Sequence, residues 1–291
     1  MSADSAPAPA LAPWLRAEPG PLLAVVDAAR SPKALAVARE IGREAESLFA
    51  GRRGERLDDA APWLVRLPEG PAREDLASAV AGRSSAVFLR SGAPFATIQG
   101  HLRRCLTAET EDGRALFFRF YDPRVLPSYL ESSTDAERAR LFGPVDTFLV
   151  EADRELLRFE RPFAPSPGQT KALIWIRDVQ RERLLAEAEA RRVARLRRWV
   201  EHRHPERAAS LGREQLDAAI RAHVARAEHH GLSDDGSILR FVEAMARLGP
   251  DFDQRLPWAK RLLAREDLAP RAKAKRLLGS AIRRAGPPAE E

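Results

Sequence analysis

Arg161-Pro162-Phe163-Ala164-Pro165-Ser166-Pro167-Gly168 places three prolines in eight residues, between two stretches of different periodicity. Proline fixes φ and removes a backbone donor, so this stretch continues neither a helix nor a central strand. Before it, short apolar runs alternate with brief helical patterns. After it, apolar residues recur at a spacing of 3.6 to the end of the chain. The break therefore reads as a domain boundary, and 291 residues suit two domains at ~100–200 residues each. The expected fold class is α+β: an N-terminal mixed α/β lobe over residues 21–162, then an all-helical C-terminal lobe over 169–285. Residues 1–20, rich in Ala and Pro, read as a disordered leader.

Working back from the boundary, Leu22-Leu23-Ala24-Val25-Val26 is an apolar run ending at Asp27, as in a strand buried on both faces. Ser31-Pro32 opens a helix, with Ser as N-cap and Pro at its first position, expected to run to about Phe49. Pro62–Leu67 and Ala86–Leu89 read as strands, and Glu74–Ala81 as a short helix. The next helix carries Ile98, Leu102, Cys105 and Leu106. Asp112-Gly113 then separates Leu106–Thr110 from Ala115–Tyr121 and gives the strongest hairpin signal in the chain. Two short helices, 123–131 and 135–142, precede strands at Val145–Val150 and Leu156–Phe159. A hairpin among helices implies a mixed sheet.

Working forward, a helix is expected from Asp178 to His202, with Leu185, Ala188, Val193, Leu196, Trp199 and Val200 on one face. Pro205 ends it. Further helices are expected at 213–229, 237–248, 256–264 and 270–284. Trp175, Trp199, Phe241, Phe252 and Trp258 are the aromatic anchors of this half, available to its core or to an interface.

Composition narrows the function classes. The chain is 44% hydrophobic and 31% charged, with a net charge of +6. That hydrophobic content is too high for a disordered protein. No run of ~18 apolar residues exists to span a bilayer, and the first twenty residues lack the pattern of an export signal. The single cysteine, Cys105, excludes an intramolecular disulfide framework. Residues 257–285 alone carry +7, and only five of the 48 basic residues in the chain are Lys. The charge is thus a local feature of the C-terminal end, either a solvated helix face or a phosphate-contacting patch built on Arg271, Lys273, Lys275 and Arg276.

Candidate chemistry is sparse. His101 and Cys105, four apart on a helix, could meet as an imidazole–thiol pair, but a lone Cys on an apolar stripe reads more simply as core. His202, His204, His229 and His230 lack partners at metal-ligand spacing and fall near helix ends. Asp234-Asp235-Gly236 lacks the remaining ligands of a calcium loop and reads as a helix start. Glycine-rich nucleotide loops and the Gly-x-Ser-x-Gly elbow are absent. The expectation is no catalytic residue, no metal and no cofactor.

The densest unusual segment is Phe117-Phe118-Arg119-Phe120-Tyr121-Asp122-Pro123-Arg124-Val125-Leu126. Read as a strand, it puts Phe118 and Phe120 on one face, Arg119 and Tyr121 on the other. Asp122 can then cap a helix opened by Pro123, with Arg119 and Arg124 flanking its carboxylate. Arg119, Tyr121, Asp122, Pro123 and Arg124 are accordingly either a structural corner or a contact point for a partner chain. Trp199, Phe241 and Trp258 are the accompanying candidate interface aromatics.

This segment, with LLAVVDAA at 22–29, PWLVRL at 62–67, AVFLRS at 86–91, HLRRCL at 101–106 and LFGPVDTF at 141–148, resembles the DUF4123-type domain of type VI secretion effector adaptors. The likeness covers Leu22 to Val150. The stretch HHGLSDDGSILRFVEAMARLGPDFD, residues 229–253, is similar to the helical lobe of some such adaptors. The resemblance implies a non-enzymatic, cytoplasmic, bacterial adaptor or chaperone. Such a protein binds a cognate toxic effector and helps load it onto the secretion spike, the VgrG trimer or its PAAR protein. No membrane partner is expected, and a nucleic-acid partner is disfavoured. An effector segment is expected to be held by helix-in-groove packing between the lobes and on apolar faces of the helical lobe. A basic nucleic-acid-binding or regulatory protein acting through residues 257–285 is the alternative.

Overall fold

A computed structural model describes residues 11–49, 58–152, 155–163 and 174–285. Most of the proline-rich boundary, residues 164–168, lies outside these, as does the start of the leader, 1–10. The chain divides into two compact units, Met1–Leu184 and Leu185–Glu291. The fold class is α+β, with strands and helices first and helices alone afterwards.

The first unit is built on a six-stranded sheet. In chain order its strands are β1 (Leu22–Asp27), β2 (Glu44–Ser47), β3 (Pro62–Leu67), β4 (Ala86–Arg90), β7 (Thr147–Ala152) and β8 (Glu155–Glu160). They lie in the order β2-β3-β1-β4-β7-β8, and every neighbouring pair is antiparallel. The expected mixing occurs instead in a second, three-stranded sheet. There β5 (Thr107–Thr110) pairs antiparallel with β6 (Ala115–Phe117) and parallel with β9 (Ile174–Ile176). The Asp112-Gly113 hairpin forms as expected, with Gly113 at φ 76°.

Both faces of the large sheet are buried, which is why β1 reads as an unbroken apolar run. Leu22, Ala24 and Val26 face α1 (Leu11–Ala17), α2 (Pro32–Ile41) and α3 (Ala72–Val80), where Leu15, Ala38 and Leu76 are fully buried. Leu23 and Val25 face α4 (Phe95–Cys105), α5 (Leu126–Glu131) and α6 (Asp135–Phe142), through Ile98, Leu102, Leu130 and Phe142. Alternate residues of one strand thus feed two cores.

Two expectations are corrected here. The leader is not wholly disordered: Leu11–Ala17 is a helix whose Leu11 and Leu15 are buried. Arg73 of α3, 2% exposed, ties it down by donating to the carbonyls of Glu18 (2.8 Å), Gly20 (2.8 Å) and Pro68 (3.0 Å). Second, α2 stops at Ile41 rather than Phe49, and Glu44–Ser47 turns into the edge strand β2. The cause is the close approach of β3. A Cβ on Gly42 would stand 2.3 Å from Val65 Cγ1, so only glycine fits the turn.

The second unit contains most of α7 (Asp178–Arg203), then α8 (Pro205–His229), α9 (Asp235–Leu248), α10 (Phe252–Arg255), α11 (Pro257–Leu263) and α12 (Pro270–Ala285). Asp234 caps α9 as the sequence implied, its side chain accepting from Ser237 N at 3.1 Å. The helix expected to start at Arg213 begins at Pro205 and bends at Gly212, φ 70°. Of the face expected on α7, Val193, Leu196 and Val200 are buried, but Leu185 is 60% exposed and Ala188 is also at the surface. The core forms around Phe241 and Phe252, whose ring centroids lie 4.9 Å apart, with Ile220, Leu277 and Ala281.

Candidate functional site

The segment Phe118–Val125 is the connection between β6 and α5. The strand ends at Phe117 and the helix starts at Leu126, so neither expected element extends into the corner. Phe118, Phe120 and Tyr121 are all buried, so Tyr121 does not share an exposed face with Arg119. Freed from strand geometry, consecutive residues 120 and 121 can both point inward, their rings edge to face at 5.8 Å.

Asp122 organises the corner but not as a helix cap. Its Oδ1 accepts from the backbone N of Arg124 at 3.0 Å, a local Asx-type turn. The Arg124 guanidinium closes on the same carboxylate from Nε to Oδ1 (2.8 Å) and from Nη2 to Oδ2 (2.6 Å). This is a bidentate pair. The Asp122 carbonyl receives Val125 N (2.8 Å) and Leu126 N (3.1 Å), which starts the turn that becomes α5. Burial raises the Asp122 pKa, but the bonds from Arg124 outweigh it and hold the carboxyl below the usual range.

Arg119 does not flank Asp122 as expected. Its Nη2 donates to Asp27 Oδ2 at 2.5 Å, across 92 residues of sequence. Asp27 is the last residue of β1 and is 1% exposed. Its Oδ1 accepts from Arg30 N at 3.3 Å. Burial pushes the Tyr121 hydroxyl up to about 12, with Arg119 opposing through charge and a hydrogen bond. The Arg30 guanidinium is lowered, first by burial and then by repulsion from Arg124. The corner therefore gathers three guanidiniums (Arg30, Arg119, Arg124) around two buried carboxylates (Asp27, Asp122). Asp27 and Arg30 were missed by the sequence reading. The only signal for them was a charged residue closing a fully apolar strand.

The other candidates resolve into packing. His101 and Cys105 do meet, Nε2 to Sγ at 3.5 Å, but both are buried and His101 Nε2 also lies 2.8 Å from the Leu141 carbonyl. Burial raises the thiol pKa and lowers that of the imidazole, so both stay uncharged. Gly143 abuts the imidazole, and a Cβ there would stand 2.2 Å from its Cε1. His204 pairs with Glu243 at 3.1 Å, and Glu243 also accepts from Arg247 at 2.6 Å. Among the described residues, no cluster of three or more His, Cys, Asp or Glu is placed to hold a metal.

Phe241, expected as an interface aromatic, is 0% exposed and sits at the centre of the helical core. Trp199 and Trp258 are half-buried at its margin, with Arg284 stacked 5.0 Å from the Trp258 ring. In the basic C-terminal end, Lys273 is 9% exposed and donates to the Leu263 carbonyl at 2.9 Å. It acts there as a cap for α11 rather than as a phosphate contact.

The fold and corner together define a class: an α+β domain built on an antiparallel six-stranded sheet, with an arginine–aspartate junction at the end of β1, followed by a helical unit. Residues 22–140 match the model of the family described as "Domain of unknown function (DUF4123)", and this segment is a DUF4123 domain. DUF4123 domains are associated with type VI secretion. No curated protein and no solved structure matches the chain. Among the described residues, no helix is long and apolar enough to cross a membrane.

Proposed function

We propose that the chain is a cytoplasmic adaptor that binds a cognate toxic effector and helps load it onto the type VI secretion spike, at VgrG or its PAAR protein. The observation that carries this reading is the DUF4123 match over residues 22–140, which includes the whole Phe117–Leu126 segment. The role requires binding rather than bond-making. It is consistent with a cysteine and a histidine held neutral inside the core. Trp199 and Trp258 supply surface aromatic area in the helical unit, where a helix of the cargo could pack.

The test is co-expression of the chain with the toxin encoded beside it. The expected result is a complex that survives size-exclusion chromatography, together with toxin that is markedly less soluble when the adaptor is omitted. A tagged chain isolated from its native host should also retain VgrG or PAAR protein. Recovery of neither an effector nor a spike component would end the adaptor reading.

A further inference from the structure

The corner at the end of β1 has more positive than negative charge. Asp122 is occupied on both oxygens by Arg124. Asp27 is occupied by Arg119 on Oδ2 and by the backbone of Arg30 on Oδ1. Arg30 is exposed, and its guanidinium donates from Nε to the Arg83 carbonyl at 2.7 Å. The Arg119 side chain is 44% exposed despite its pair. Arg30 and Arg124 repel one another, opposed by the charges of Asp122 and Asp27.

An apolar surface adjoins this charge. Phe117, at the end of β6, is 51% exposed, although its ring packs edge-on against Phe49 at 5.8 Å and Tyr121 at 6.4 Å. An exposed phenylalanine held by two aromatic neighbours is a rigid platform, and ordering it on binding costs little side-chain entropy. The cationic site begins two residues further on, at Arg119, whose guanidinium lies 5.5 Å from the Tyr121 ring.

We infer that Arg30, Arg119 and Phe117 form a docking site for an acidic segment of the effector polypeptide, with an Asp or Glu carboxylate entering between Arg30 and Arg119 beside an apolar residue on Phe117. The inference rests on the adaptor reading and names the chemistry of its cargo. A third carboxylate would balance the three guanidiniums. Asp27 and Asp122 hold the arginines in place beforehand, so the ligand binds to preorganised donors. Charge of this kind raises the association rate and selects against basic partners.

The experiment uses the full chain and the purified neighbouring toxin, with affinity measured by calorimetry at low and high salt. Arg30→Glu should weaken binding about tenfold or more at low salt, and salt should weaken the unmodified complex more than the variant one. Because Arg119→Gln alone would leave Asp27 buried and unpaired, the paired variant Asp27→Asn/Arg119→Gln is measured beside it, with melting curves for both. It should lose affinity to a similar degree while remaining folded. Arg207→Glu, an exposed change on α8, should leave affinity unchanged. Hexaglutamate should compete for the site, whereas hexalysine should not. If the unmodified chain binds toxin and both corner variants bind within about twofold of it, the acidic docking site is wrong and the adaptor reading stands. If the unmodified chain binds no toxin, the docking site falls, and the adaptor reading falls with it when no spike component is recovered either.

Discussion

Asp122 and Arg73 show how much of this molecule depends on single charged side chains placed inside it. The Asp122 carboxylate accepts three hydrogen bonds, two of them from the Arg124 guanidinium. Asp122→Ala removes all three and strands Arg124, at an expected cost of about 1–3 kcal/mol by urea denaturation. Asp122→Asn, which can keep the backbone turn, should cost less. Arg73 serves carbonyls on both sides of the start of β1, and burial lowers its pKa. Arg73→Met should destabilise by about 1–3 kcal/mol, the range for leaving buried acceptors unsatisfied.

Two buried titratable side chains, His101 and Asp122, shape the acid response. His101 titrates below its usual value because burial opposes its charge, so its contribution is complete above about 6.5 and declines as pH falls through that value. Asp122 is held low chiefly by Arg124, which overcomes burial, so its contribution is complete above about 3.9 and is lost in stronger acid. Stability measured against pH should therefore fall in two stages, and His101→Gln should flatten the first while leaving the second.

Among the elements, those with local causes were legible. Ser31-Pro32 opens α2, Asp234 caps α9, and Asp112-Gly113 turns β5 into β6, because each signal and its effect lie within a few residues. What escaped was set by distant neighbours. The end of α2 depends on Val65 of β3 pressing on Gly42. The corner's strand and helix were shortened because Phe120 and Tyr121 both enter the core. The Asp122–Arg124 pair could be read at two residues' separation, whereas Arg119–Asp27 could not, since only the sheet brings β1 to that connection. Gly143 is a further case. It ends α6 at φ 49°, directly against the His101 ring. Gly143→Ala combines a disfavoured φ with that contact and should cost about 1–3 kcal/mol, visible as a lower melting temperature.

At the scale of the whole molecule there are two separately assembled interiors, one around the large sheet and one around Phe241 and Phe252. Phe241→Ala empties the middle of the second and should cost it about 3–5 kcal/mol. Calorimetry is expected to resolve two transitions, only one of which moves in this variant. Two coincident transitions that shift together would contradict the division.

The arginine strap on α1 bears on where this domain can be cut. The family match starts at Leu22 and stops at residue 140, yet Arg73 grips carbonyls at positions 18 and 20, and β4 pairs with β7 at Phe88–Leu149. What is inherited as a block is therefore narrower than what closes as a solid. A polypeptide trimmed to 22–140 would leave one side of β4 open and strip the Arg73 guanidinium of its acceptors at positions 18 and 20, and should be recovered as aggregate. Residues 11–184, which restore both flanks, should stay in solution.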